Sequence, residues 1–219
     1  MMKKALLLAL FLVACGTIEE FPENYGDKQV SQKDNDVSSC EGHDEEINNS
    51  ELPYFYQYDN YISPGSTCQN TSIAMLLAKY GWQGVPDDIT REWGKDYAQS
   101  PEGLANVFNT IAQREGIRAR LEPVVYGTLE EFQGLLRQGK PTIVHGYFTG
   151  YGHVLVATGF DGRSYTVKDP AGRWSERFMG GYISGSGNGV SYEASVFDMA
   201  ISTSDGYTFL PLWYHRLVE

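Results

Sequence analysis

The sequence predicts an α+β domain with an N-terminal helical part packed on a C-terminal antiparallel β-sheet. Three observations carry that expectation: helix signals crowd residues 68–139, β-rich runs separated by glycine turns begin at Pro141, and no segment repeats another. Helices first and strands after is the segregated arrangement, not the alternating one that builds a parallel sheet.

Taken in order, Pro53-Tyr-Phe-Tyr-Gln57 reads as a short first strand and residues 59–67 as a polar, glycine-marked loop. Residues 68–81 follow, with Ile73, Ala74, Leu77, Ala78 and Tyr80 at helical spacing and Gly81 as the stop. Pro86-Asp-Asp-Ile opens a second helical stretch through Arg91 and Trp93. A third begins at Ser100-Pro101-Glu102, with Ser100 as N-cap and Pro101 in the first helical position, and ends at Glu115-Gly116. Thr128-Leu-Glu-Glu131 has the form of a capping box, and its helix runs to Gly139. Residues 141–147, 153–160 and 164–168 are then strands of an antiparallel sheet. Ser184-Gly-Ser-Gly-Asn-Gly189 reads as a flexible loop on a cleft rim, 195–201 as a short helix and 210–217 as a closing strand.

The N-terminus points to export. Lys3 and Lys4 precede an apolar stretch, residues 5–13, that is too short to span a bilayer. Leu12-Val-Ala-Cys15-Gly16 then reads as a bacterial lipobox, in which Cys15 is lipidated and becomes the mature N-terminus. Acyl chains gain membrane affinity with each buried methylene, and two or more make anchoring stable. The alternative is an ordinary cleaved signal peptide with an incidental cysteine. Gly16 in place of Asp after the cysteine directs the expectation to the outer membrane of the cell envelope. Residues 17–51 hold eleven acidic residues against Lys28 and Lys33, a net −9 of the chain's −11. Such a segment cannot bury enough apolar surface to fold, and reads as a disordered acidic tether. The expected organisation is therefore a signal peptide with lipobox over 1–15, a tether over 16–51 and one domain over 52–219. With Lys3 and Lys4 counted, that domain carries −4, which gives no basic footprint for nucleic acid. No cluster has metal spacing, no glycine loop suits a phosphate, and no cofactor is expected. A monomer is expected.

Cys68 opens the first helix, where unpaired N–H groups and the helix dipole favour a thiolate. It is the lone cysteine of the folded part, since Cys15 is committed to lipid and Cys40 lies in the tether. His153 begins one strand directly after Gly150-Tyr-Gly152, and Asp169 ends the next at Val-Lys-Asp169-Pro-Ala-Gly. Antiparallel neighbours joined by a tight turn can set His153 beside Asp169, so that a carboxylate fixes the imidazole tautomer. Each residue also has an ordinary explanation. Cys68 could be a small buried hydrophobe, His153 a structural strand end and Asp169 the cap of a turn. Of the other histidines, His145 is in phase with Ile143 and reads as a satisfied core residue, His215 packs beside Trp213 and Tyr214, and His43 is in the tether.

With these residues in view, the chain resembles the C39-like branch of the papain-like cysteine peptidases. The matching residues are Pro53-Tyr-Phe-Tyr-Gln57 with Asp59-Asn60, Thr67-Cys68-Gln-Asn-Thr-Ser-Ile-Ala-Met75, Tyr80-Gly81, Gly139-Lys-Pro-Thr-Ile-Val-His, Gly152-His153-Val-Leu-Val-Ala-Thr-Gly159 and Asp169-Pro170. The resemblance spans residues 52 to 175. It implies the papain-like fold, with Cys68 as nucleophile, His153 as general base and then acid, and Asp169 as the residue that orients it. It further implies that Gln57 and the Cys68 backbone N–H hold the oxyanion, and that the partner is a peptide or protein substrate. Two departures stand out. Gln69-Asn70 occupy the place where the family commonly has Gly then Pro, and residues 61–66 are inserted between Gln57 and Cys68. The same acyl-enzyme serves a hydrolase or a transpeptidase, and a non-catalytic peptide-binding module would use the same cleft.

Overall fold

A six-stranded antiparallel sheet organises the chain, and its last strand is inserted next to its first. The computed structural model describes residues 52–204 and 209–219. The expectations for residues 1–51 (signal peptide, Cys15, tether, Cys40 and His43) lie outside the described residues. The helices are α1 (Cys68–Lys79), α2 (Pro86–Trp93), α3 (Pro101–Arg114), α4 (Leu129–Arg137) and α5 (Ala194–Ile201). The strands are β1 (Arg120–Gly127), β2 (Thr142–Gly146), β3 (His153–Phe160), β4 (Ser164–Lys168), β5 (Arg173–Trp174), β6 (Tyr182–Ile183), β7 (Asn188–Glu193), β8 (Thr203–Ser204), β9 (Phe209–Leu210) and β10 (Leu212–Val218). The main sheet runs β1-β10-β2-β3-β4-β7, while β5–β6 and β8–β9 are separate ribbons. Among the described residues, no helix is long and apolar enough to cross a membrane.

Strand alternation explains how both sheet faces are covered. Ile143, Val154 and Val156 point to one core with Ile73, Leu76 and Leu77 of α1 and Phe108 of α3. Val144, Leu155 and Ala157 point to a second, aromatic core with Phe132, Tyr165, Trp174, Tyr192 and Phe197. A strand buried on both faces reads as a continuous apolar run. This is why the β3 sequence shows no polar alternation.

The helix starts follow their local signals. Ser100 accepts a hydrogen bond from Gly103 N–H, and Pro101 fills the first position of α3. The Thr128 hydroxyl accepts from Glu131 N–H, but the reciprocal half of the expected capping box is absent, because Glu131 turns instead to Arg216 of β10. Residues 53–57 are not a strand. They are extended and end in a 3-10 turn over Gln57–Asp59, since their hydrogen bonds run across to the loop after β4: Gln57 N–H to the Pro170 carbonyl at 2.8 Å and the Tyr54 hydroxyl to the Asp169 carbonyl at 2.9 Å. Strand β1 lies outside the sequence expectation. It contains Pro123, which a strand tolerates at a sheet edge, and β1 is an edge strand.

His145 and His215 lie on the α1 and α3 side of the sheet, with ring centres 5.2 Å apart. His145 is a core residue, as its phase with Ile143 requires, but not a satisfied one: neither ring nitrogen has a hydrogen-bond partner. His215 donates from Nε2 to the Pro101 carbonyl at 2.9 Å. Burial pushes the His215 pKa down to about 4, with the Pro101 bond offsetting part of the fall, and burial likewise depresses His145. Both imidazoles fold neutral. The stability they contribute is therefore complete above the unfolded value of about 6.5 and is lost as pH falls, for His215 toward 4. For His215 the loss approaches about 3 kcal/mol at the acid end. Urea denaturation between pH 7 and 4.5 should show stability falling with acid, and His215→Gln should flatten that fall by close to one proton. An unchanged slope in His215→Gln would contradict the assignment.

Candidate active site

Asp169 follows β4 and opens the turn Asp169-Pro-Ala-Gly172, closed by a 3.1 Å bond from Gly172 N–H to the Asp169 carbonyl. Register places its side chain. Lys168 pairs with Val156, so the next step along β4 brings Asp169 opposite Leu155, on the same face as His153 at the start of β3. The expected pair forms: His153 Nε2 lies 2.8 Å from Asp169 Oδ1, and both side chains are buried.

The carboxylate is surrounded by donors. Ala171 N–H donates to Oδ1 at 3.1 Å, and the Tyr182 and Tyr192 hydroxyls approach Oδ2 at 3.1 and 3.4 Å. Burial, and then the Asp169 charge, push the Tyr192 and Tyr54 hydroxyls above the ordinary phenol range, so both remain protonated donors. With carboxylate oxygens accepting, Nε2 is a protonated nitrogen of His153, and Nδ1 is the ring nitrogen left for other partners. The imidazole is held between aromatic edges, Tyr182 at 5.2 Å and Phe148 at 6.1 Å between ring centres.

Cys68 is the first residue of α1 and is fully buried. Ser72 lies one turn further on the same helix face, and its hydroxyl bonds the carbonyl of Val154, the residue after His153. The first turn of α1 is thereby laid over the start of β3. The inserted loop folds back. Asn60 donates to the hydroxyls of Thr67 and Thr71, each at 3.0 Å, while Tyr61 and Ile62 N–H groups bond the Asp87 carboxylate. Gln57 is fully buried between this loop and the Asp169 turn, and one N–H of its amide donates to the Pro64 carbonyl at 2.9 Å. His153, Asp169 and the Gln57 backbone thus meet around the ends of β3 and β4, and α1, which Cys68 opens, is tied to β3 by the Ser72–Val154 bond. His145 and His215 make their own pair in the core. Among the described residues, no group of acidic, histidine or cysteine side chains could hold a metal ion.

Residues 49–196 match the Peptidase_C39 like family. The chain belongs to that family. A solved structure from Bacillus anthracis, assigned as a C39-like peptidase, shares the fold at 15% identity and a TM-score of 0.55, covering 78% of this chain and 96% of that one. The double glycine motif protease of an AMS/PCAT transporter, solved in complex with the leader peptide, is 18% identical with a TM-score of 0.47, covering 77% and 94%. No curated protein matches the chain.

The sequence did not mark out the residues that back Asp169. Tyr182 and Tyr192 come from short strands outside the expected elements. Ser184-Gly-Ser-Gly-Asn-Gly189 is not merely a loop. Gly187 accepts Asp169 N–H through its carbonyl at 2.9 Å, and Asn188 opens β7 while accepting from Lys168 at 2.6 Å. A Cβ on Gly187 would lie 1.9 Å from the Asp169 carbonyl oxygen. The glycine density at 185, 187 and 189 was the available signal, because glycine admits close backbone approach. Gly187→Ala should lower stability by about 1–3 kcal/mol by displacing the Asp169 turn. By contrast, Gly134→Ala on α4, where a Cβ meets nothing within 4 Å, should raise it by up to about 1 kcal/mol. Thermal unfolding of the two variants checks the opposite signs.

Proposed function

We propose that the chain is a lipid-anchored cysteine peptidase that cleaves peptide bonds through a thioester acyl-enzyme. The supporting observation is the buried His153–Asp169 pair at the start of β3, the strand to which α1 is tied one turn after Cys68. In this reading Nδ1 of His153 takes the Cys68 proton and the sulfur attacks the scissile carbonyl. The oxyanion is held by Cys68 N–H at the helix N-terminus and by the second N–H of the Gln57 amide. The C–N bond then breaks as the imidazolium donates its proton to the leaving amine. Water, deprotonated by the same imidazole, attacks the thioester, releases the carboxylic acid and returns the proton to sulfur. Asp169 keeps Nε2 protonated and the ring in place throughout.

Profiling across a peptide library supplies a cleaved substrate. Cys68→Ala should abolish its hydrolysis and all labelling of the domain by a thiol-directed electrophile, with the fold retained. His153→Ala should follow it in hydrolysis. Asp169→Asn should keep a fraction of the rate, because the amide oxygen can still accept the imidazole N–H. Full turnover by Cys68→Ala would overturn the nucleophile.

The anchor is the second part of the proposal. The lipobox around Cys15 supports it, and the acidic segment 16–51 would hold the peptidase off the envelope membrane. The full chain, expressed with its signal, should fractionate with membranes, and Cys15→Ser should move it to the soluble fraction. A soluble wild type would contradict the anchor.

A further inference from the structure

The residue after the nucleophile is Gln69, fully buried like Cys68 itself. Its Nε2 donates to two backbone carbonyls, Ser66 at 3.1 Å and Lys95. Turning the amide over would set its oxygen against both of those carbonyl oxygens, so the orientation is fixed. The other end, Oε1, therefore faces sulfur and accepts from Cys68 Sγ at 3.2 Å. A carbonyl oxygen stabilises the thiol, to which it offers an acceptor, and opposes the thiolate, to which it offers only a lone pair.

Two local effects therefore compete at one sulfur. The N-terminus of α1 favours the thiolate and Gln69 favours the thiol. The other charged groups on neighbouring elements are engaged elsewhere: Asp87 with the Tyr61 and Ile62 amides, Arg91 with Asp88, and Lys95 with Asp96. On the proposed mechanism His153, held by Asp169, is the titratable group that contends with Gln69 for the thiol proton.

We infer that Gln69 is a positioning residue that holds the resting nucleophile as a buried, hydrogen-bonded thiol, so that Cys68 reacts slowly with adventitious electrophiles. This rests on the reading of Cys68 as nucleophile, but its test does not use turnover. The rate of iodoacetamide alkylation at Cys68, followed by peptide mapping of the full chain from pH 5 to 10, reports the apparent thiol pKa. Gln69→Met keeps the length and removes the acceptor. It should lower that pKa by about one unit and speed alkylation at neutral pH several-fold, since a hydrogen bond of this kind is worth up to roughly a tenfold equilibrium factor. A folded Gln69→Met with an unchanged profile would overturn the inference. An independent measurement on the wild type is the Raman difference against Cys68→Ala at pH 7. It should contain a hydrogen-bonded S–H stretch, and its absence would equally overturn the inference. Failure of the peptidase reading would show instead as undiminished hydrolysis by Cys68→Ala, whatever these two measurements give.

Discussion

The site depends on burying one carboxylate. Asp169 is removed from water, and an unpaired buried charge would cost several kcal/mol. The chain meets this by directing His153, Ala171 N–H and two tyrosine hydroxyls at its oxygens, while its backbone is tied to Gly187, Gly172 and Tyr54. These partners come from β3, from the turn itself, from β6 and β7, and from the segment that leads to Gln57. The carboxylate thus links the sheet, the glycine-rich return and the N-terminal approach to α1. Removing any one partner loosens the others, because each bond is strengthened by the low dielectric it shares.

On the proposed reading, the arrangement also fixes the direction of the chemistry. An imidazole held through Nε2 presents its basic nitrogen on the opposite side of the ring, and the flanking Tyr182 and Phe148 rings limit its rotation. The sulfur is positioned by a different element. Its helix is secured by Asn60 to Thr67 and Thr71 at the start and by Ser72 to β3 one turn later. The imidazole and the sulfur therefore stand on separately braced supports. Gln57 joins the Asp169 turn to the inserted loop, through Pro170 and Pro64.

Much of this was legible in the chain because it is local. Gly81 marks the end of α1, Ser100-Pro101 marks the start of α3, and the apolar runs of β3 and β4 set His153 and Asp169 at strand ends. What was not legible is long-range. Residues 53–57 carry strand-forming residues, yet their partners lie beyond residue 168, so their conformation is set by docking and not by propensity. Glu131 has the spacing of a capping box, and the competing Arg216 is 85 positions away. Tyr182 and Tyr192 sit in short strands with weak periodicity, and only the folded sheet reveals that their hydroxyls converge on Asp169.

On the proposed reading, Asp169 orients His153 so that its basic nitrogen faces Cys68. Nitrogen-15 NMR of the histidine side chains tests it most directly, with His153 assigned by His153→Ala. The account predicts the Nε2-protonated tautomer at neutral pH, and a shift of the His153 Nδ1 resonance when Cys68 is capped by a small methylthio group. An Nδ1-protonated ring, or a resonance indifferent to that modification, would contradict it.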